Sequence, residues 1–220
     1  MARDVARTRD DLALRVREDG TLELRANGLF VMDTAETSTE RALATAALAQ
    51  AGPGPLTVLV GGLGLGFTAA AVLDDDRVER CVVAELEPRL VAWLRDGTVP
   101  HGPALLDDPR LEVVVGDVAD LLSPGTGPSY DLVLLDVDNG PDNLVHNANA
   151  ALYAVDGLRK VRQVLRPGGR LVVWSADRSS ALAAAVTAVL GRCEEIELPV
   201  RLQGRDEAYW LYEGAVASQP

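Results

Sequence analysis

The sequence is poor in the residues that bind metals and form cross-links. It has two cysteines, Cys81 and Cys193, and two histidines in 220 residues. Neither cysteine has a partner at metal-ligand spacing, and two cysteines make no disulfide framework. Both read as reduced thiols in strand-like runs of a cytoplasmic protein, and no metal is expected. Long apolar runs are missing too: each is broken well short of the roughly 20 residues a membrane helix needs. The opening MARDVARTRDD has mixed charge and no apolar stretch, so no signal peptide is expected. Positive charge is in deficit. A net charge of −12 argues against nucleic acid or an anionic membrane as a partner. What remains is a chain 48% hydrophobic, without internal repeats, of a size that suits one α/β domain with a small appendage.

The most informative stretch runs from Leu56 to Glu87. Leu56-Thr57-Val58-Leu59-Val60 is a short apolar run rich in β-branched residues, which predicts a buried parallel strand. It leads into Gly61-Gly62-Leu63-Gly64-Leu65-Gly66, then a helix over Phe67 to Leu73, then a second strand, Cys81 to Ala84, ending on Glu85. Glycines at a strand end let the backbone turn sharply and approach a ligand closely. An acid about 20 residues further on is placed to accept hydrogen bonds from ribose hydroxyls. Strand, glycine turn, helix, strand and acid together predict nucleoside binding at Gly62, Gly64, Gly66 and Glu85.

Around this unit the chain reads as follows. Met1 to Asp10 is expected to be a loosely docked tail. Leu12 to Arg17 and Thr21 to Arg25 alternate apolar and charged residues around Glu18-Asp19-Gly20, a hairpin pattern, and Leu29 to Asp33 is a third short strand. A helix is predicted over Arg41 to Ala51, and Gly52-Pro53-Gly54-Pro55 is read as a hinge. Residues 1–51 are thus expected to form a small β module with a linking helix, and 52–220 the main domain. In the main domain a helix starts at Pro88, Gly97 to Asp108 is a loop, Leu111 to Val115 and Tyr130 to Asp136 are strands, and Ala150 to Leu165 is one helix. Arg170 to Trp174 is a fifth strand, Ser179 to Leu190 a helix, and Cys193 to Leu202 with Glu207 to Tyr212 a final hairpin. This pattern predicts a Rossmann-like, doubly wound, mostly parallel seven-stranded sheet with an antiparallel C-terminal hairpin and an N-terminal β module.

Acids collect at the strand ends. Asp117 follows the third strand, where it can accept from an adenine amine or cap the short helix after it. Asp136 ends the fourth strand, where it can hold or deprotonate an acceptor. Asp138, Asn139, Asp142, Asn143 and His146 make a dense polar loop, which reads equally as a substrate-gripping lid or as a solvated cluster of turns. His101 is read as a surface histidine, Trp174 as a core residue, Glu87 as the start of a helix, and Glu36 and Glu40 as near the hinge and able to face the crevice.

Nearly the whole chain resembles the spermidine synthase (polyamine aminopropyltransferase) family within the class I S-adenosylmethionine-dependent transferases. The resemblance rests on GLFVMD in the β module, then VLVGG, VVAELEP, VVVGDVADLL, YDLVLLDVDNGP and LRPGGRLVVWS in the family's order. It implies Glu85 on the ribose, Asp117 on the adenine and Asp136 on the attacking amine. It also implies S-adenosylmethionine or its decarboxylated form as donor, a small-molecule acceptor with Asp138, Asn139 and His146 as candidate contacts, and a possible homodimer. The sequence departs from the family at three places. Leu65 stands where the glycine loop of the family carries an acid. Asn139 replaces a second aspartate, with Asp138 shifted by one. Thr39-Glu40 lacks the preceding aromatic and imidazole. With these departures the expected reaction is methyl transfer to a small nucleophile held by Asp136. The alternative is aminopropyl transfer from decarboxylated S-adenosylmethionine, and a third reading is non-catalytic nucleoside binding.

Overall fold

In the computed structural model the described residues are 3–7 (backbone), 12–123, 125, 129–137, 140–141, 144, 149–202 and 204–218. Strands β5 (Leu56–Gly61), β6 (Val78–Glu85), β7 (Leu111–Val115), β8 (Tyr130–Leu135), β9 (Leu165–Ser175), β10 (Glu194–Leu202) and β11 (Arg205–Ala215) form one sheet. Its order is β10-β11-β9-β8-β5-β6-β7. The β5–β9 strands are parallel, and β11 runs antiparallel to both β9 and β10. The chain moves outward from β5 through β6 to β7, then returns to place β8 on the other side of β5. That reversal opens a crevice at the carboxyl ends of β5 and β8, where ligands of such sheets bind.

Period-two alternation explains how the sheet is covered. Val58, Val60, Leu132, Leu134 and Val172 point into one core, with Leu43 and Leu48 of α1 (Ser38–Ala49), Ala69 and Val72 of α2 (Phe67–Leu73), and Leu90 and Leu94 of α3 (Pro88–Arg95). Leu59, Val133, Leu135, Leu171 and Val173 point into the other. There they meet Val118 of α5 (Val118–Leu121), Leu158 and Val161 of α7 (Val155–Val164), and Leu182 and Val186 of α8 (Ser180–Leu190). A strand apolar on both sides is what a doubly covered parallel sheet requires.

The N-terminal module is a four-stranded antiparallel sheet of β1 (Arg3–Arg7), β2 (Ala13–Val16), β3 (Leu22–Ala26) and β4 (Leu29–Asp33). Arg3–Arg7, expected as a loose tail, is therefore a strand whose backbone pairs with β2. Sequence patterning missed it because RDVAR is too short and too charged to show alternation. Two further expectations change. A short helix, α4 (Gly102–Leu106), interrupts the loop over Gly97 to Asp108. The predicted helix over Ala150 to Leu165 is broken into α6 (Ala150–Tyr153) and α7 at Ala154, whose ψ is 160°. Gly157 permits that tight corner, since a Cβ there would lie 2.3 Å from the Ala151 carbonyl oxygen. Among the described residues no helix is long and apolar enough to cross a membrane.

Arginines anchor α1 over the crevice. Arg77, paired with Asp75, donates to the carbonyls of Leu48 (2.8 Å) and Gly52 (3.0 Å), and Arg170 donates to Gln50 (3.0 Å). At the other end, Asp33 accepts from the amides of Ala35 and Glu36 and pairs with Arg17 at 2.7 Å. Arg17 also binds Glu23, whose carboxyl burial alone would raise; donors from Arg25 and Arg17 hold it below its ordinary range. Arg17→Met would leave Asp33, 2% exposed, without its cation. The expected loss is roughly 3 kcal/mol in urea denaturation, and a loss under about 1 kcal/mol would mean that the network is not a stability element.

Candidate functional site

A cavity of about 340 Å³ lies where the N-terminal module, α1 and the carboxyl ends of β5, β6 and β8 converge. Gly62 and Gly64 line it, with φ of +91° and +52°. A Cβ on Gly62 would sit 2.1 Å from the Asp136 carbonyl oxygen, so glycine is required there by close approach as well as by φ. Gly66 does not line the cavity. It forms the left-handed turn into α2, packed against Leu105 and Leu94.

Glu85 ends β6 and is 8% exposed, facing the cavity. It accepts from the amides of Leu63 (2.9 Å) and Glu87 (2.7 Å), which fixes the carboxylate and ties the glycine loop to it. Burial pushes its acid up, and the amide donors oppose that rise. Asp117 sits at the cavity wall and caps α5 through the Ala119 amide at 2.8 Å, so the helix-capping reading is present in the geometry. Glu87 likewise caps α3 through Arg89. Leu86, 54% exposed, offers an apolar surface between the two acids that flank it in sequence.

Asp136 and Glu40 both line the cavity. Thr68, on α2, donates to Asp136 at 2.8 Å and lies 3.4 Å from the Glu40 carbonyl oxygen, so it bridges β8 and the start of α1. Burial pushes Asp136 up to about 6. Burial, then the charge of Asp136, pushes Glu40 up to about 7. Of the two acids expected near a hinge, Glu36 also reaches the cavity wall, where it accepts from the Ser38 amide. Trp174 is core, as its sequence position suggested, yet it also lines the cavity, edge-on to Tyr209 at 4.9 Å between centroids. Burial and nearby carboxylates, Glu207 and Glu40 foremost, push the Tyr209 phenol up to about 12. Seven carboxylates line the cavity (Asp33, Glu36, Glu40, Glu85, Glu87, Asp117 and Asp136), with no arginine, lysine or histidine among its described residues.

Two sequence readings change here. Leu65 is wholly buried, and the loop residues that line the cavity are Gly62 and Gly64; the Met32 sulfur lies 2.8 Å from a would-be Cβ on Gly64. His101 is half-buried and bonded to the glycine loop, not a free surface side chain. Met32, Thr68 and Tyr209 carried no sequence signal, since each reaches the site only through tertiary packing. Asp138, Asn139, Asp142, Asn143 and His146 lie outside the described residues. Among the described residues no group of three or more His, Cys, Asp or Glu can hold a metal ion.

Fold and crevice define a Rossmann-like protein of the methyltransferase-fold class. No protein-family model matches the chain. It is 32% identical over 124 residues to a polyamine aminopropyltransferase of a Synechococcus strain, covering 56% of this chain and 38% of that one. It is 30% identical over 125 residues to a polyamine aminopropyltransferase of Aeropyrum pernix, covering 57% and 39%. Each match spans less than two fifths of the relative's own length. A spermidine synthase solved with the transition-state analogue AdoDATO superposes with a TM-score of 0.84 at 16% identity, over 99% of this chain and 75% of that one. Within that fold class the chain is similar in sequence, over part of their length, to polyamine aminopropyltransferases and similar in fold to a spermidine synthase.

The acid pair has a consequence for stability. An acid raised in the folded state stabilises the fold below its unfolded value and loses that contribution as pH rises through the folded one. For Glu40 that window runs from 4.5 to about 7. Glu40→Gln is expected to raise the melting temperature of the ligand-free protein by about 2–4 °C at pH 8 and little at pH 4. Equal shifts at both pH values would mean Glu40 is not held protonated by its surroundings.

Proposed function

We propose that the chain is an aminopropyltransferase of the spermidine synthase type, which moves the aminopropyl group of decarboxylated S-adenosylmethionine to a small amine. The observation that carries this reading is the cavity's composition: seven carboxylates and no cationic side chain among the described residues. An intact methionine tail would bring its carboxylate into this field without a partner. The decarboxylated donor is a sulfonium with an ammonium tail, and both charges are offset by acids. Amine acceptors need the same compensation when they leave water. Of the three readings, this one has the support of the named relatives, and methyl transfer has none from them.

Glu85 would hold the ribose hydroxyls, Asp117 the adenine amine, and Gly62 and Gly64 would let the backbone approach the donor. Asp136 and Glu40 would hold the acceptor ammonium and take its proton; acids near 6 and 7 are poised for that at neutral pH. The amine lone pair then attacks the carbon on the sulfonium. The carbon–sulfur bond breaks, its electron pair stays on sulfur, and methylthioadenosine leaves as a neutral thioether. Alignment at about 3 Å can supply roughly 7–11 kcal/mol of the barrier.

Calorimetry at pH 8 tests the donor. Decarboxylated S-adenosylmethionine is expected to bind at least about tenfold more tightly than the intact form, or 1.4 kcal/mol. The reverse preference would overturn the proposal in favour of methyl transfer. With a diamine acceptor, Asp136→Asn is expected to lower kcat about 10²–10⁴-fold with donor affinity unchanged. Turnover should rise between pH 6 and 8 as the two acids lose their protons, and a flat profile would remove them from the proton's path.

A further inference from the structure

The peptide at Leu65 is held from both sides by residues outside the glycine loop. Its amide donates to the Met32 sulfur at 3.2 Å, and its carbonyl lies 2.6 Å from His101 Nε2. Met32 comes from β4 of the N-terminal module, and His101 from the turn just before α4. The loop needs such a brace. Leu65 lies between Gly64 at φ +52° and Gly66 at φ +90°, and glycines impose little rotational preference of their own. The same loop gives the Leu63 amide to Glu85 at 2.9 Å, so its conformation sets the aim of the ribose-facing carboxylate. His101 is itself seated against Phe67, the first residue of α2, at 4.7 Å between ring centroids, and Arg41 of α1 covers the same phenyl ring at 5.7 Å.

We infer that His101 and Met32 are positioning residues for the donor: an imidazole N–H and a thioether clamp the Leu65 peptide and thereby hold the glycine loop and Glu85 in the nucleoside-binding arrangement. The clamp also links the N-terminal module to the donor half of the cavity, because Met32 is the module's contact with the loop amide. His101 does not line the cavity and acts through the loop peptide, whereas Met32 lines the cavity as well as taking the Leu65 amide. Removing either should loosen nucleoside binding and leave the amine half, held by Glu40 and Asp136, as it was. The inference rests on the donor reading above, and its test separates the two.

Methylthioadenosine is the probe, titrated by calorimetry into the wild type and three variants. His101→Ala is expected to weaken it about five- to tenfold, the size of one lost hydrogen bond. His101→Gln carries a side-chain amide donor at similar reach and should recover to within about twofold. Met32→Leu keeps the volume and loses the acceptor, and should cost about threefold. Diamine affinity should stay within twofold in all three. Failure of His101→Gln to recover affinity, or equal loss of diamine and nucleoside, would overturn the clamp in favour of plain packing. If the wild type bound no nucleoside, the donor reading would fall, and hydrogen exchange would still decide the clamp. Faster exchange of the Leu65 and Gly66 amides in His101→Ala supports it, and unchanged exchange overturns it.

Discussion

Strands β5 and β8 lie side by side, and where they end the backbone of one meets the backbone of the other. The Asp136 carbonyl oxygen stands 2.1 Å from the place a Cβ on Gly62 would occupy. Most of the site depends on that approach. The Asp136 amide donates to the Gly61 carbonyl at 2.8 Å, which sets the acid at the crevice floor, and Thr68 of α2 then reaches its carboxylate. On the other flank the same glycine turn delivers the Leu63 amide to Glu85. One close contact between two strand ends thus spaces the two acids on which donor and acceptor chemistry would divide.

The electrostatics of the cavity follow from how its acids are used. Asp33 is neutralised by Arg17, and Glu36, Glu87 and Asp117 each accept from a nearby backbone amide. Glu40 and Asp136 have hydroxyl partners, Thr39 and Thr68, and no cationic partner among the described residues. Burial raises both, and the charge of one raises the other. A buried like-charge pair is costly in the empty protein. An ammonium held between the two acids would offset that cost.

Module and main domain meet at this site too. Leu14, Leu22, Leu24 and Met32 of the N-terminal sheet belong to the same core as Val58, Val60 and Leu65. The module does more than cover the crevice: its Met32 sulfur takes an amide of the glycine loop. α1, held by Arg77 and Arg170 at its C-terminal end, carries Glu40 to the cavity from its first turn.

Local pattern was enough to determine the parallel strands, the glycine turn, the helices α2, α3 and α8 of the main domain and the placing of Glu85, Asp117 and Asp136 at strand ends. Two-sided apolar strands and glycine turns leave signatures within a few residues, because burial on both faces and positive φ are local demands. The strand at Arg3–Arg7, the break at Ala154, the burial of Leu65 and the roles of Met32, Thr68, His101 and Tyr209 were decided by tertiary structure alone. A short charged strand exists only by pairing with β2, and a helix corner only by packing against Gly157. A thioether or an imidazole becomes part of a binding loop only when residues 33 and 36 positions away are folded against it. The sequence alone determined which acids stand at the strand ends. Only the fold decided which of them are buried without a cation, because burial and pairing are properties of neighbours in space.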